Sequence, residues 1–488
     1  MKKTISIIGS GFSSLAASCY LAKQGYDVTI YEKNASIGGR ARQLKSNGFT
    51  FDMGPSWYWM PDVFENFFND FDKKTSDYYE LIKLNPAYRV YFGVNEFMAI
   101  TDNLEEIAST FESIEKGSGK KLVDYISKAK SNYDIAIKKL VYRPGVSALE
   151  LITLETTQKL SQFFGTVSKD IRKEFKDERL IQILEFPVLF LGAKPSKTPS
   201  FYNFMNYADF GLGTWHPKTG MFDVVRGIES LAKELGVTIK TNSNIDKIIV
   251  TNNTATSLIV NDEIISSDII LSGADYQHTE TLLDEEHRAY SDSYWESRVF
   301  APSSLLFYVG FDKKISAISH HALFFDVDFN QHAIDIYDEP KWPEAPLFYA
   351  NFPSITDTTA APEGMESGFF LIPLAPGIED TEALREEYFE KIINRFETVT
   401  QQSIKNNIIF KKSFCKNDFI KDYNAYKGNA YGMANTLLQT AFLRPKLKSK
   451  KIKNLYFTGQ LTVPGPGVPP ALISGKLVSE LINKSFSL

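Results

Sequence analysis

The sequence predicts an α/β chain with a mixed sheet: a Rossmann-like domain built from discontinuous segments, an antiparallel-sheet domain and a helical cap. Three observations carry this. A β-type run, Lys3 to Ile8, leads through Gly9-Ser10-Gly11-Phe12-Ser13-Ser14 into a helical pattern from Leu15 to Lys23. A second strand, Val28 to Tyr31, then ends on Glu32. Near the other end, Asn454 to Gly459 repeats the strand-to-glycine pattern and a helix begins near Pro470. Between the two ends the periodicity is helical over residues 112–186 and strand-rich after residue 236.

The first unit has the spacing of a dinucleotide site. Gly9 permits a tight turn, Gly11 lets the backbone approach a pyrophosphate, and the helix start offers N–H groups to it. Ser14 stands where a third glycine is usual and is small enough for helix–strand packing. Glu32 lies 21 residues after Gly11, where its carboxylate can accept both ribose hydroxyls, with Lys33 beside it. Gly38-Gly39 allows close backbone approach, and Arg40 can clamp a phosphate. Met53-Gly54-Pro55-Ser56 is a rigid turn suited to facing a flat ring. Ile245 to Val250 is expected as a third strand near the adenine, with Ile245 in backbone contact. Gly459 and the loop through Gly467-Val468-Pro469 bring a second helix start to the same place. A site assembled from both chain ends points to FAD rather than NAD, because FAD also needs contacts along its ribityl chain and ring.

The expected domains are residues 1–75, 221–290 and 452–488 for FAD, 76–111 and 291–451 for the substrate sheet, and 112–220 for a cap. At 488 residues the chain is too long for one ordinary core. With 54 basic against 59 acidic residues, the net charge of -5 gives no general nucleic-acid surface. The two cysteines, Cys19 and Cys415, cannot make a disulfide framework. Six scattered histidines have no metal-ligand spacing, so no metal is expected. No apolar run approaches the length of a membrane span, and the protein is expected to be cytoplasmic.

Aromatic residues make up 14% of the chain, with 37 Phe and 24 Tyr, which suits either large cores or a long apolar pocket. Trp57, Tyr58, Trp59 and Met60 follow directly on the Gly54-Pro55 turn, and Phe201, Tyr202, Phe204 and Tyr207 form a second aromatic set. Both are candidate substrate contacts; core packing explains the second nearly as well. Pro187 to Gly192 is expected to break the helical pattern. Lysines 446, 448, 450, 451 and 453 read as a solvated loop, with contact to anionic lipid as the minor alternative.

These motifs, with Leu271-Ser272-Gly273-Ala274-Asp275, resemble the bacterial-type carotenoid desaturases, FAD enzymes related to amine oxidases and protoporphyrinogen oxidase. The family often has Asn where this chain has Gly273 and Gly or Ala where it has Ser14. Trp57 to Phe64 looks like the phytoene desaturases of yellow-pigmented marine bacteria. The resemblance implies FAD-dependent removal of two hydrogens across a C–C bond of a polyene, phytoene or a later carotene intermediate, with hydride passing to flavin N5. It further implies flavin reoxidation by oxygen or a quinone, and peripheral association with the inner face of the cell membrane, through residues 187–213. Alternatives are 3,4-desaturation of a hydroxylated or monocyclic carotenoid, polyene isomerisation, amine or porphyrinogen oxidation, and a non-enzymatic flavin-bound role. No catalytic residue is assigned. Asp52 and Asp275 lie near the motifs but suit structural roles equally, and Arg143 sits in the cap where the family has been proposed to use polar residues.

Overall fold

The computed structural model describes residues 2–147, 150, 159, 161–189 and 191–486. Five parallel strands form one sheet in the order Leu455–Phe457, Ile269–Ser272, Thr4–Ile8, Asp27–Tyr31 and Thr238–Lys240. Its central strand is an Ile-rich run because parallel sheets are covered on both faces. Helix Phe12–Lys23 packs on helices Phe222–Glu234 and Val468–Phe486, so the two ends of the chain meet at the top of this sheet. Gly475 makes that crossing possible: a Cβ there would lie 2.6 Å from the Ser13 carbonyl oxygen and 2.8 Å from the Ala17 nitrogen.

The expected third strand is elsewhere. Ile245–Thr251 pairs antiparallel with Thr254–Val260 in a separate three-stranded sheet. Asn252 and Asn253, both at positive φ, turn it straight back into a hairpin, and the parallel edge falls to Thr238–Lys240.

The large sheet has seven strands, in the order Ile408–Phe414, Ser303–Phe311, Glu366–Leu374, Phe348–Asn351, His321–Phe324, Tyr88–Gly93 and Glu96–Ile100. It is antiparallel except where His321–Phe324 runs parallel to Tyr88–Gly93, the strand contributed from before the cap. Helix Glu382–Thr400 covers one face through Phe389, Ile392, Ile393 and Phe396.

The cap is helical, as its periodicity requires, and helix Glu178–Leu189 ends within the expected break, with Pro187 in its last turn. Segment 187–213 is largely buried, with Ser196, Lys197 and Gly211 its exposed members among the described residues. Phe190 and most of residues 148–160 fall outside the described residues. Among those described, no helix is long and apolar enough to cross a membrane. Cys19 and Cys415 are buried and unpaired with each other.

Candidate FAD and substrate site

Two glycine turns meet where the parallel sheet ends. Gly9, at φ +83, donates its N–H to the Tyr31 carbonyl at 2.8 Å, and Gly38 donates to Ser10 at 3.1 Å. A Cβ on Gly39 would come within 3.3 Å of the Gly11 Cα, whereas one on Gly11 would project into open space. No side chain caps the helix that begins at Phe12, so its first N–H groups face that space. Glu32 closes the turn from below. One carboxylate oxygen accepts from the Ser10 N–H at 3.0 Å and hydroxyl at 2.7 Å; the other accepts from the Asn34 N–H at 2.9 Å and side-chain amide at 3.0 Å.

A single cavity of about 900 Å³ runs from these turns into the interior between sheet and cap. Gly9, Ser10, Gly11, Phe12, Ser13, Glu32, Lys33, Gly38, Gly39 and Arg40 line one end, with Ile245 nearby. Met53, Gly54, Pro55 and Ser56 line its middle, and Gly459, Gly467, Val468 and Pro469 close on it from the C-terminal helix. Trp57, Trp59, Met60, Phe201, Tyr202 and Phe204 line the apolar end. Arg40, at the nucleotide end, is half-buried, with one guanidinium N–H on the Asn429 carbonyl at 3.2 Å and its carbon 5.3 Å from the Tyr423 ring centre.

Three predicted contacts are not in the wall. Ser14 does not reach the wall: its hydroxyl lies against Gly273. Tyr58 is fully buried, stacks on Phe64 at 4.2 Å and bonds the Tyr79 hydroxyl at 2.9 Å. The alternation of side chains in extended backbone turns it opposite to its neighbours Trp57 and Trp59. Tyr207 packs edge-on to Tyr133 on the outer side of its helix.

The acids near the motifs hold the frame. Asp52 accepts the Met221 and Phe222 N–H groups at 2.6 and 3.1 Å, capping helix Phe222–Glu234, and burial pushes it up to about 7. Asp275 caps helix Tyr276–Thr281 and accepts from the Tyr426 N–H; burial raises it while the Arg40 guanidinium pulls it back. Arg143 reaches the cavity mouth but is exposed, and its side-chain N–H is held by the Lys139 carbonyl.

Sequence reasoning missed a second part of the apolar wall. Leu323, Tyr349, Phe369 and Leu371 come from the seven-stranded sheet, Phe325 from just beyond the strand His321–Phe324, and Phe329 from the helix beside it. Strand alternation marks two faces for each strand, but only the register says which face meets the cavity. It also missed the meeting of His216, His320 and His321, whose ring centres lie 4.4 and 4.5 Å apart in succession. Among the described residues no group of His, Cys, Asp and Glu is placed to hold a metal.

The donor set fits FAD. Uncapped N–H groups and open glycine turns suit a pyrophosphate, a carboxylate ends the second strand, and a second helix start lies at the middle of the cavity. Comparison with known proteins agrees. The family described as flavin containing amine oxidoreductase matches residues 12–483. The chain is 39% identical to a carotenoid 3,4-desaturase of Haloarcula japonica, over 99% of this chain and 98% of that one. It is 33% identical to a 4,4'-diapophytoene desaturase of Staphylococcus aureus, over 98% of each. Among solved structures it resembles an oxidoreductase from Methanosarcina mazei (TM-score 0.66, 17% identity, 98% and 100% of the two chains covered). A cyclohexylamine oxidase from Brevibacterium oxydans has the same fold (TM-score 0.59, 14% identity, 99% and 100% covered). The chain therefore belongs to the flavin-containing amine oxidoreductases, in their carotenoid-desaturase branch, and is an FAD-dependent oxidoreductase.

Proposed function

We propose that the protein removes two hydrogens across a C–C bond of a long apolar carotenoid. The observation that carries this reading is the continuity of one cavity from the glycine turns to an aromatic chamber. Bound FAD would supply the hydride acceptor. The chain's own residues exclude water and hold the polyene by apolar area, since such a substrate has almost nothing to hydrogen-bond. An amine substrate is disfavoured, because the acids along the wall sit at its two ends: Glu32, Asp275 and Asp422 at the nucleotide end, Glu150 at the mouth.

Two finer readings differ in substrate. One is phytoene or a later carotene intermediate; the other is 3,4-desaturation of a hydroxylated or monocyclic carotenoid. The greater identity to the 3,4-desaturase, along nearly the full chain, favours the second. Purified protein with FAD is incubated with liposomes carrying phytoene or a hydroxylated monocyclic carotene, and products are separated by chromatography. Conversion of the second substrate alone supports 3,4-desaturation; conversion of phytoene alone reverses the choice. Oxygen or a quinone is the proposed electron acceptor, distinguished by anaerobic turnover with each.

The proposal includes docking of the cavity mouth on the inner face of the cell membrane. Val146 and Leu438 are 65% and 75% exposed at the mouth, with Leu443 at 40%. They belong to the segments that line its opening, residues 145–147 and 438–443. Such apolar side chains on a rim give a water-insoluble substrate a dry entrance. The lysine run contributes differently from a headgroup patch: Lys446 donates to the Gly145 and Phe442 carbonyls, and Lys451 to that of Glu286.

A further inference from the structure

A line of hydroxyl and imidazole groups leads from the cavity wall toward the surface. Ser56 lines the cavity at the loop between the nucleotide end and the aromatic chamber. Its Oγ accepts from the Tyr349 hydroxyl at 2.9 Å, and that hydroxyl lies 2.7 Å from His321 Nδ1. The adjacent ring, His320, has its centre 4.5 Å away, and its Nδ1 lies 2.9 Å from the Thr356 hydroxyl. Ser56 and Tyr349 face the cavity, His321 and His320 are buried, and Thr356 is partly exposed.

The cluster is not explained by packing alone. Nε2 of His320 and of His321, and both ring nitrogens of His216, make no hydrogen bond with the described residues. Buried polar atoms are seldom left so, and four in one place form an exception that asks for a cause. His216 centres 4.4 Å from His320, so the three rings form one buried group. Asn351 fixes the arrangement, with its side-chain amide on the His320 carbonyl at 2.9 Å and beside His321 Nδ1 at 3.2 Å. By contrast His332, which also lines the cavity, has both nitrogens engaged by the Pro373 carbonyl and the Leu347 N–H.

We propose that Ser56, Tyr349, His321 and His320 form a relay that carries the proton released by the substrate out to Thr356 and solvent. The inference rests on the desaturase reading. In that reaction FAD, when bound, would accept hydrogen with its electron pair from one C–H bond. The neighbouring C–H bond gives up a proton, and the electron pair left behind becomes the new double bond. The proton passes to Ser56 Oγ once the two hydroxyls have turned from the resting arrangement, in which Tyr349 donates to Ser56; Ser56 then hands its own proton to Tyr349, Tyr349 to His321 Nδ1, and His321 onward through Nε2. Each member both donates and accepts, as a proton chain requires. Burial and the neighbouring imidazoles hold His320 and His321 well below 6.5, so both are neutral and able to take a proton in passing. The wall near Ser56 offers no carboxylate to take it instead.

The test uses FAD-loaded full-length protein in liposomes, comparing wild type with Tyr349→Phe, Ser56→Ala and Ser56→Thr at matched flavin absorbance. Single-turnover product formation is followed in H2O and D2O. The relay predicts a rate lowered about tenfold or more in Tyr349→Phe and Ser56→Ala, an altered solvent isotope effect in both, and recovery in Ser56→Thr. Loss of rate with an unchanged isotope effect would assign these residues to packing and overturn the relay. So would wild-type rates in both Tyr349→Phe and Ser56→Ala. If wild type itself converts no carotenoid, the functional reading fails first and takes the relay with it.

Discussion

The Ser14 hydroxyl occupies the space that a side chain at position 273 would need: a Cβ built on Gly273 would lie 2.0 Å from Ser14 Oγ. The resemblance implies Asn at the second position and Gly or Ala at the first in the family; here Ser14 takes space that a larger residue at 273 would need. The pair sits where the first helix crosses the strand Ile269–Ser272 beside the nucleotide turn. Gly273→Asn alone should destabilise the protein by about 1–3 kcal/mol through overpacking. Adding Ser14→Gly should restore most of that. Urea unfolding of both single variants and the double variant measures the coupling, and additive effects would contradict the pairing.

Glu32→Ala should weaken FAD. The carboxylate holds Ser10 and Asn34 through four hydrogen bonds and lies at the cavity wall, so its loss also loosens the phosphate turn. A charge-assisted hydrogen bond is worth roughly 1.5–3 kcal/mol, so the dissociation constant should rise about tenfold or more. Fluorescence titration with FAD checks it, and a change within twofold counts against the assignment.

Bond selectivity should reside in the aromatic wall, and the structure separates participants from bystanders. Alanine at Trp57, Trp59, Phe201 or Phe204 opens the cavity and should change the degree of desaturation more than total turnover. Apolar pockets discriminate by only about 1–3 kcal/mol per methylene, so length and blocking rings must set the stopping point. Tyr58→Ala and Tyr207→Ala should cost stability without moving the product distribution, because neither side chain lines the cavity. Asp52→Asn should weaken the helix start at Met221 and Phe222 rather than the chemistry. Chromatographic product ratios at equal flavin loading decide the matter.

His216 should make folding sensitive to mild acid. Burial lowers it from 6.5 to about 4, against a smaller opposing pull from Asp223, and His320 and His321 face it. The unfolded chain then binds the proton first. Its contribution is complete above pH 6.5 and drains away as pH falls toward 4, amounting to roughly 2 kcal/mol lost by pH 5. His216→Gln lacks this titration. The stability gap between wild type and variant, from urea midpoints, should therefore narrow between pH 7.5 and pH 5; a constant gap would refute it.

The rim residues should govern membrane contact. Val146→Glu with Leu438→Glu should reduce co-flotation with anionic liposomes severalfold while flavin absorbance stays unchanged. Neutralising Lys448, Lys450 and Lys453 should matter less. Equal flotation of wild type and the rim variant would remove this part of the proposal.

The sequence by itself determined the nucleotide end of the molecule. Gly9, Gly11 and Glu32 act through their spacing along one strand–turn–helix–strand unit, and local spacing is written directly in the chain. The same holds for the glycine–proline turn at Gly54-Pro55 and for the helix start beyond Gly467. Tertiary structure alone decided which aromatics face the cavity, why Ser14 needs Gly273, where Ile245–Thr251 pairs, and how His216 comes to lie against His320. Each of these depends on strand register or on the crossing of elements distant in sequence. A residue's neighbours along the chain cannot reveal them, because alternation offers two faces and only long-range packing chooses between them.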